Sequence, residues 1–332
     1  MALQTSGAIS LANIQSEFGG SNPISLSEYY RGGAYTTTNN TSVPTGGTIS
    51  LSNFYGTVKQ FAFTISSSVK EANLHTLATA AGWDGSSPLI ATVASGVYLW
   101  SDNTSVGGLT IPSSIGTTVT LYNSGYIIGR GGDAYSYTGT GPFAGGPALV
   151  NQKSGVTVIN NSGAFIAGGG GGGGGAGGGG GAGGGKGGDF PFSGYVAFGG
   201  AGGAIGQSGA DGQAIYLGAL ASQPGDGGGA GGGGGNYEDS GTGFQSFSGG
   251  GGGGRILPGV GGVGQCGPGA FGYGGGAGGS GGNAGTQGCN GGFGGGGGWG
   301  AAGGAGGGAG GAAISGTAVS LTNNGTIYGA VV

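Results

Sequence analysis

The chain has 332 residues, 102 of them glycine, and only 5% of it is charged, against about 7% glycine and about 25% charge in ordinary chains. Seven Lys and Arg and a net charge of −4 leave no basic surface of the kind that phosphate neutralisation needs, which argues against nucleic acid. No apolar run approaches the roughly 20 residues of a membrane helix, which argues against membrane insertion.

Residues 1–60 carry an internal repeat, SGAISLANI at 6–14 and GGTISLSNF at 46–54, with ISLSEYYRGG at 24–33 between them. Each reads as a short extended entry followed by a helical turn. Ser25 and Glu28 have capping-box spacing and Gly32 follows as a C-cap. Turns this short are unstable alone, so they must dock on something. The apolar residues of the repeat, Ile9, Leu11, Tyr29, Tyr30, Leu51, Phe54 and Tyr55, are therefore candidates for attachment to other proteins. The same need favours a homotrimer.

Residues 61–115 read as a small α+β connecting domain. FAFTIS at 61–66 alternates like a strand. EANLHTLATAAG at 71–82 places Leu74, Leu77, Ala78 and Ala81 on one helical face, with Gly82 to end it. LIATV at 89–93 and VYLW at 97–100 are strand-like. His75 is the sole histidine, so no multi-histidine metal site is available within one chain. It reads as a surface residue rather than a catalytic base.

From 116 to 332 one motif occurs three times: VTLYNSGYIIG at 119–129, VTVINNSGAFIAG at 156–168 and VSLTNNGTIYG at 319–329. Each is an alternating strand, an Asn-Gly or Asn-Ser-Gly turn and a second short strand. Two copies precede the glycine-rich block and one follows it, which predicts a β-framework around that block. Glycine tracts then alternate with richer segments. Aromatic segments and a returning strand motif are foreign to a disordered linker. All-glycine helices of the extended left-handed kind could pack closely and pair their backbone groups. The expected fold is therefore mostly β and irregular: a small N-terminal module with short helices, then a β-framework around a polyglycine-II helix bundle with protruding loops.

Loops on a rigid scaffold are where binding concentrates. Phe190, Phe192, Tyr195 and Phe198 form one aromatic cluster, and Tyr237, Glu238, Phe244 and Phe247 a second with an acidic flank. Aromatic rings carry contact area at low entropic cost, and these eight are the candidate receptor-binding residues. Cys266 and Cys289 are either a disulfide pair or two idle thiols, since spacing alone does not establish pairing. GGAGGGKG around Lys186 lacks the Ser or Thr of a phosphate loop, and the isolated RGG triplets at Arg31 and Arg130 are single copies. No nucleophile–histidine–acid set is present, no cofactor is implied, and catalysis is not expected. The N-terminus has neither the basic nor the apolar region of a secretion signal. A surface-binding protein of that kind fits a virion component made in the host cytoplasm.

From about residue 72 onward the chain resembles glycine-rich bacteriophage tail-fibre tip adhesins, the T-even-type receptor-recognition proteins of the polyglycine-II sandwich family. The matching pieces are NLHTLATAAGWDG (73–85), LYNSGYIIGRGG (121–132), GGPALV (145–150) and the glycine run of 166–178. The resemblance implies a polyglycine-II sandwich in a tail fibre or tail tip. It also implies loops that contact a bacterial outer-membrane protein or surface glycan, and partners among the tail or baseplate proteins at the N-terminus. T-even-type adhesins cap a separate fibre protein, whereas this chain brings its own N-terminal module. The alternative is a structural decoration or tail-stabilising protein whose loops hold neighbouring subunits.

Overall fold

A computed structural model describes residues 2–37, 40–136, 138–174, 180–192, 195–210, 212, 214–216, 219–221, 247–248, 251–261, 279–287, 294–304 and 306–332. The N-terminal module contains helix α1 (Leu11–Phe18) and two single 3-10 turns, Leu26–Tyr29 and Leu51–Phe54. Each begins at an extended serine whose backbone N–H donates to a side chain three residues on. Ser10 reaches Asn13 Oδ1 at 2.9 Å, Ser25 reaches Glu28 Oε1 at 3.1 Å and Ser50 reaches Asn53 Oδ1 at 2.8 Å. This makes up part of the terminal amide deficit of very short turns. The rest comes from packing: Ile14, Phe18, Tyr29 and Phe54 form one buried core with Leu3 and Val43. The need for partners that suggested a homotrimer is thus met between turns of a single chain.

Beyond the module the chain winds as a coil of short parallel strands. The first turn holds β1 (Phe61–Ile65), β2 (Val69–Lys70), β3 (Ala72–Asn73) and helix α2 (Leu74–Ala80). The second holds β4 (Leu89–Val93), β5 (Tyr98–Trp100) and β6 (Leu109–Ile111). The third holds β7 (Val119–Asn123), β8 (Tyr126–Ile128) and β9 (Leu149–Asn151). The fourth starts with β10 (Val156–Asn160) and β11 (Phe165–Ala167). A long excursion follows, with β12 (Phe190–Phe192), β13 (Tyr195–Ala197), β14 (Ala214–Tyr216), β15 (Ala219–Ala221) and β16 (Phe247–Ser248). The fourth turn then closes with β17 (Ile314–Gly316), and a last half-turn adds β18 (Ser320–Asn323) and β19 (Thr326–Tyr328).

Three parallel sheets result, β1-β4-β7-β10-β18, β2-β5-β8-β11-β19 and β3-β6-β9-β17. In β7 and β10 burial alternates residue by residue, as a sheet with one face on a core requires. The inward residues, among them Leu99, Leu109, Leu121, Ile127, Val158 and Ile166, make one continuous apolar column.

This corrects the expected fold class. The described residues are not organised as a β-framework around a polyglycine-II bundle or sandwich; three parallel sheets of four or five strands organise them, with few helices. The reason lies in the thrice-repeated motif. Its two strands do not pair with each other across the Asn-Gly turn. Each pairs in register with its counterpart in the next copy, Asn123 with Asn160 and Asn160 with Asn323. The turn is a corner of the coil.

The corner is held by its asparagines, and both Asn123 and Asn160 are wholly buried. Asn123 Nδ2 donates to Asn160 Oδ1 at 2.8 Å and to the Phe165 carbonyl at 3.1 Å. Asn160 Nδ2 donates to Asn323 Oδ1 at 2.8 Å and to the Thr326 carbonyl at 3.2 Å. Each amide thus links one turn of the coil to the next and also satisfies a carbonyl at the bend.

The glycine-rich segments are excursions from the corner between the second and third sheets, 129–148 after β8 and 168–313 after β11. They pack backbone against backbone. A Cβ on Gly169 would stand 1.9 Å from the Arg130 carbonyl oxygen, and one on Gly170 would stand 2.1 Å from that of Gly297. The Gly169 N–H donates to the Gly146 carbonyl at 2.9 Å and that of Gly170 to Ala182 at 2.8 Å. No side chain could occupy such a gap, while the amides still find partners.

The ladder and the glycine packing each set a stability expectation. Asn160→Ala should destabilise the protein by about 2–3 kcal/mol, because it strands the polar groups on both sides of the ladder; chemical denaturation measures this. Gly170→Ala should cost about 3 kcal/mol or more through overpacking. Gly116→Ala, where a Cβ would meet nothing within 4 Å, should leave the midpoint nearly unchanged.

Candidate functional site

The glycine excursion rests on the outer face of the second sheet. There Tyr98, Tyr126, Phe165 and Tyr328 line up across successive coil turns, with ring centroids 4.6, 5.6 and 6.0 Å apart. Trp299, fully buried, packs with Ile128, Ala167 and Ala182, and Ile205 and Leu257 join from the excursion. The Trp299 Nε1–H donates to the Ile256 carbonyl at 3.0 Å, so this large ring is both apolar filler and hydrogen-bonded strut.

Charges do the remaining fastening. Two copies of a basic-Gly-Gly-Asp sequence occur, Arg130–Asp133 and Lys186–Asp189, and each closes on itself as an ion pair, at 2.8 and 2.9 Å. They also meet each other: the Lys186 N–H donates to Asp133 Oδ1 at 2.6 Å, and the Ala134 N–H to the Lys186 carbonyl at 2.9 Å. Asp189 is buried, and its Oδ1 also accepts from the Gly199 N–H at 2.8 Å. It therefore clamps together the two ends of the segment that contains β12 and β13. Arg255, buried among glycines, donates from Nε to the Gly183 carbonyl at 2.8 Å and from its terminal nitrogen to Asp102 on the coil. Asp102 also faces Lys70 at 3.7 Å. Burial alone would raise the Asp102 pKa, but the Arg255 hydrogen bond and charge, with Lys70, outweigh it and hold the carboxyl below its ordinary value. Asp102 and Arg255, with Arg130, Trp100 and Ile205, line an open cleft of about 520 Å³.

The first aromatic cluster lies on a hairpin, β12 paired antiparallel to β13 with Phe192 opposite Tyr195 and Phe190 opposite Ala197. Phe198, just past it, is 47% exposed. Phe247 lies on β16, which pairs with β14 opposite Ile215, and β14 pairs in turn with β15. The structure brings these pieces together: β12 contacts β16, and β13 contacts both β14 and β15. Tyr237, Glu238, Phe244, Cys266 and Cys289 lie outside the described residues.

The attachment candidates divide in two. Tyr29 and Phe54 are completely buried in the N-terminal core, whereas Ile9, Leu11 and Leu51 are half-buried against it. The Tyr30 hydroxyl donates to the Gly47 carbonyl and that of Tyr55 to Gly7. His75 stacks edge-on against Trp83, with centroids 5.6 Å apart.

Sequence reasoning missed Asp102, Asp133, Asp189 and Arg255, and it dismissed Lys186 and Arg130 as failed motifs. One signal was available: charges this rare inside a glycine tract, in two basic-Gly-Gly-Asp copies, have to be paired to be buried. Among the described residues no group of three or more His, Cys, Asp and Glu could hold a metal ion, and no helix is long and apolar enough to cross a membrane.

A short-stranded coil that carries backbone-packed excursions and clamped hairpins offers a rigid base for loops, the build of a binding protein. The chain matches the model of the phage tail fibre adhesin Gp38 family over residues 60–229, just over half its length, and it belongs to that family. Its role is that of a tail-fibre receptor-binding protein. The crystal structure of the gp37–gp38 adhesin tip complex of the bacteriophage S16 long tail fibre is similar to it, with a TM-score of 0.48, 20% identity and 100% of both chains covered. No individual curated protein matches it.

Arg255→Ala should cost about 2 kcal/mol, since it removes charge-assisted bonds to Gly183 and Asp102 at once; thermal unfolding reads this. The depressed Asp102 carboxyl contributes stability that is present above about pH 4 and is lost as pH falls through its lower folded value. The gap in melting temperature between the native chain and Asp102→Asn should therefore narrow on acidification from about pH 6 to about pH 2.

Proposed function

We propose that this adhesin recognises the bacterial surface, an outer-membrane protein or a surface glycan, through loops between its glycine-rich segments. Phe190, Phe192, Tyr195 and Phe198 supply one part of the binding face, and Tyr237, Glu238, Phe244 and Phe247 the other. The observation that supports this reading is the contact of β12 with β16, which sets the first aromatic segment beside the strand of Phe247. Aromatic side chains on a clamped base lose little entropy on binding. In this reading the protein works by binding and not by catalysis, and it sits at the tail fibre or tail tip of the virion.

Residues 1–60 are the attachment module, with Ile9, Leu11, Tyr29, Tyr30, Leu51, Phe54 and Tyr55 forming its core and surface, and its partners are other tail or baseplate proteins. Residues 61–115 connect it to the receptor-binding part at 116–332. The support for an attachment role is that the module folds around its own core and still keeps Ile9, Leu11 and Leu51 partly exposed at its rim.

Binding of the purified full-length chain to host cells tests the loops. Phe198→Ala should weaken binding about tenfold, the cost of one interface anchor, in a variant that thermal unfolding has first verified to fold. Host-cell binding that is indifferent to Phe198→Ala and to replacement of 190–197 by the corresponding segment of another adhesin would place the receptor site elsewhere.

A further inference from the structure

The second sheet carries an outward row of side chains in which Lys70, Trp100, Ile128 and Ala167 stand in register on successive turns of the coil. Ile128 and Ala167 are completely buried with Ala182 and Trp299 of the glycine-rich excursion, whereas Trp100 is half-buried and Lys70 is exposed. Along this row the excursion covers the third and fourth turns fully and the second only in part. The edge at which it stops includes Gly203 and Ile205, and the gap between that edge and Trp100 is the cleft of about 520 Å³. Small-molecule sites run from roughly 300 to 1,000 Å³, so the gap has the size of one. None of the eight candidate receptor-binding residues lines it.

Charge is rare in this chain, with seven Lys and Arg and eleven Asp and Glu in 332 residues, yet Asp102, Arg130 and Arg255 all line this cleft. Lys70 and Asp133, one of each sign, stand behind them as ion-pair partners. The lining is thus positive, two cations to one anion, in a chain whose net charge is −4. Its charged groups are held in place. Arg255 is fixed by the Gly183 carbonyl and Asp102, and Arg130 by Asp133 and the Gly131 carbonyl. The Asp102 side chain nevertheless stays 47% exposed. The Asp102 N–H donates to Glu71 Oε1 at 3.3 Å, and the Glu71 N–H donates to the Trp100 carbonyl at 2.6 Å. Glu71, the single corner residue between β2 and β3, has a φ of 50°, a conformation that a side chain of this kind keeps only where its surroundings enforce it. One fixed corner thus ties down the backbone of both Trp100 and Asp102.

A half-exposed flat ring beside one carboxylate and two guanidinium groups suits a sugar. The indole gives an apolar face to the C–H face of a pyranose. A carboxylate accepts from its hydroxyls, and guanidinium groups donate in pairs to a carboxylate or phosphate that it carries. Glycine at the opposite edge lets backbone approach the ligand closely. A nucleic acid strand would need a run of cations, which this cleft lacks. We infer that the cleft between Trp100 and the Gly203–Ile205 edge binds an acidic saccharide, one pyranose unit bearing a carboxylate or a phosphate. Trp100 stacks on the ring, Asp102 holds its hydroxyls, and Arg130 and Arg255 hold its anionic group. This site goes beyond the loop reading and does not depend on it.

Titration calorimetry of the full-length chain with glucuronic acid, glucose 6-phosphate, glucose and inorganic phosphate tests it. At least one of the two acidic sugars should bind with a Kd of about 1 mM, and about tenfold more tightly than glucose or inorganic phosphate. Hydrogen exchange of the native chain should slow at 100–104 and 202–206 when that sugar is added. Trp100→Leu and Arg130→Gln, each first verified by thermal unfolding to fold, should each weaken its binding about tenfold. No saturable binding of either acidic sugar would overturn the inference. So would inorganic phosphate binding as tightly as the sugars, which marks an anion site only, or glucose binding as tightly, which marks a neutral one. Exchange protection confined to other segments would overturn the location, and it does so on the native chain even where a variant fails to fold. The loop reading stands or falls separately, on host-cell binding by Phe198→Ala.

Discussion

Register between successive turns of the coil is the constraint on which the rest of the molecule depends. Strands of three to five residues bury too little individually to be stable, and a parallel ladder has no hairpin to align it. Alignment comes from the corner asparagines. Asn123, Asn160 and Asn323 each occupy the last position of a strand in the same sheet, so a one-residue slip would break two side-chain bonds and turn apolar residues such as Leu121 and Val158 outward. The first two turns lack the asparagine; Val93 stands opposite Asn123. There helix α2 and Trp83 add to the same apolar column, with Leu74, Ala78 and Trp83 all buried.

A coil held at one corner is free to lengthen at another. The connection between the second and third sheets is short in the second turn, longer in the third and very long in the fourth, yet β9 and β17 return to pair in register with Leu149 opposite Ile314. This is why the glycine-rich part can be large without interrupting the sheets. Its lack of side chains carries a cost, since glycine gives up more backbone freedom on folding than other residues. Backbone hydrogen bonds between segments offset that, and among the described residues several buried or paired side chains lie at junctions. Trp299 seals the excursion to the coil, Arg255 ties it to Asp102, and the paired basic-Gly-Gly-Asp sequences anchor its two halves to each other.

Much of the local structure was legible in the sequence, and the architecture was not. The helix at Leu74–Ala80, the strands at 61–65 and 89–93 and the capping serines follow from periodicity and cap chemistry, which act over a few residues. The thrice-repeated motif was equally visible, but Asn-Gly is a good hairpin turn and an equally good coil corner. Alternating burial is the same whether the partner strand is the next one or one a whole coil turn away. Only long-range pairing separates these cases, and the expectation of a frame around the glycine-rich block came from reading each copy of the motif as two strands joined by a tight turn. At the candidate site, the aromatic cluster at 190–198 was visible as composition. The clamp made by Asp189 was not, because a buried carboxylate is recognised by its partners and not by its neighbours in sequence.

The two ends of the protein are held together in different ways. The N-terminal module repeats one short capped turn three times. Three capped serines and one shared core of Ile14, Tyr29 and Phe54 suffice for this. The glycine-rich excursion is held by backbone packing. Amide–carbonyl bonds between segments, together with carboxylates such as Asp189 at their feet, fix the backbone there. Gly199 and Asp189 close the base of the segment from 190 to 198. Loss of a core leucine in the coil would be felt throughout the stack, whereas the clamp is made by a carboxylate and a backbone N–H and uses no side chain of 190–198.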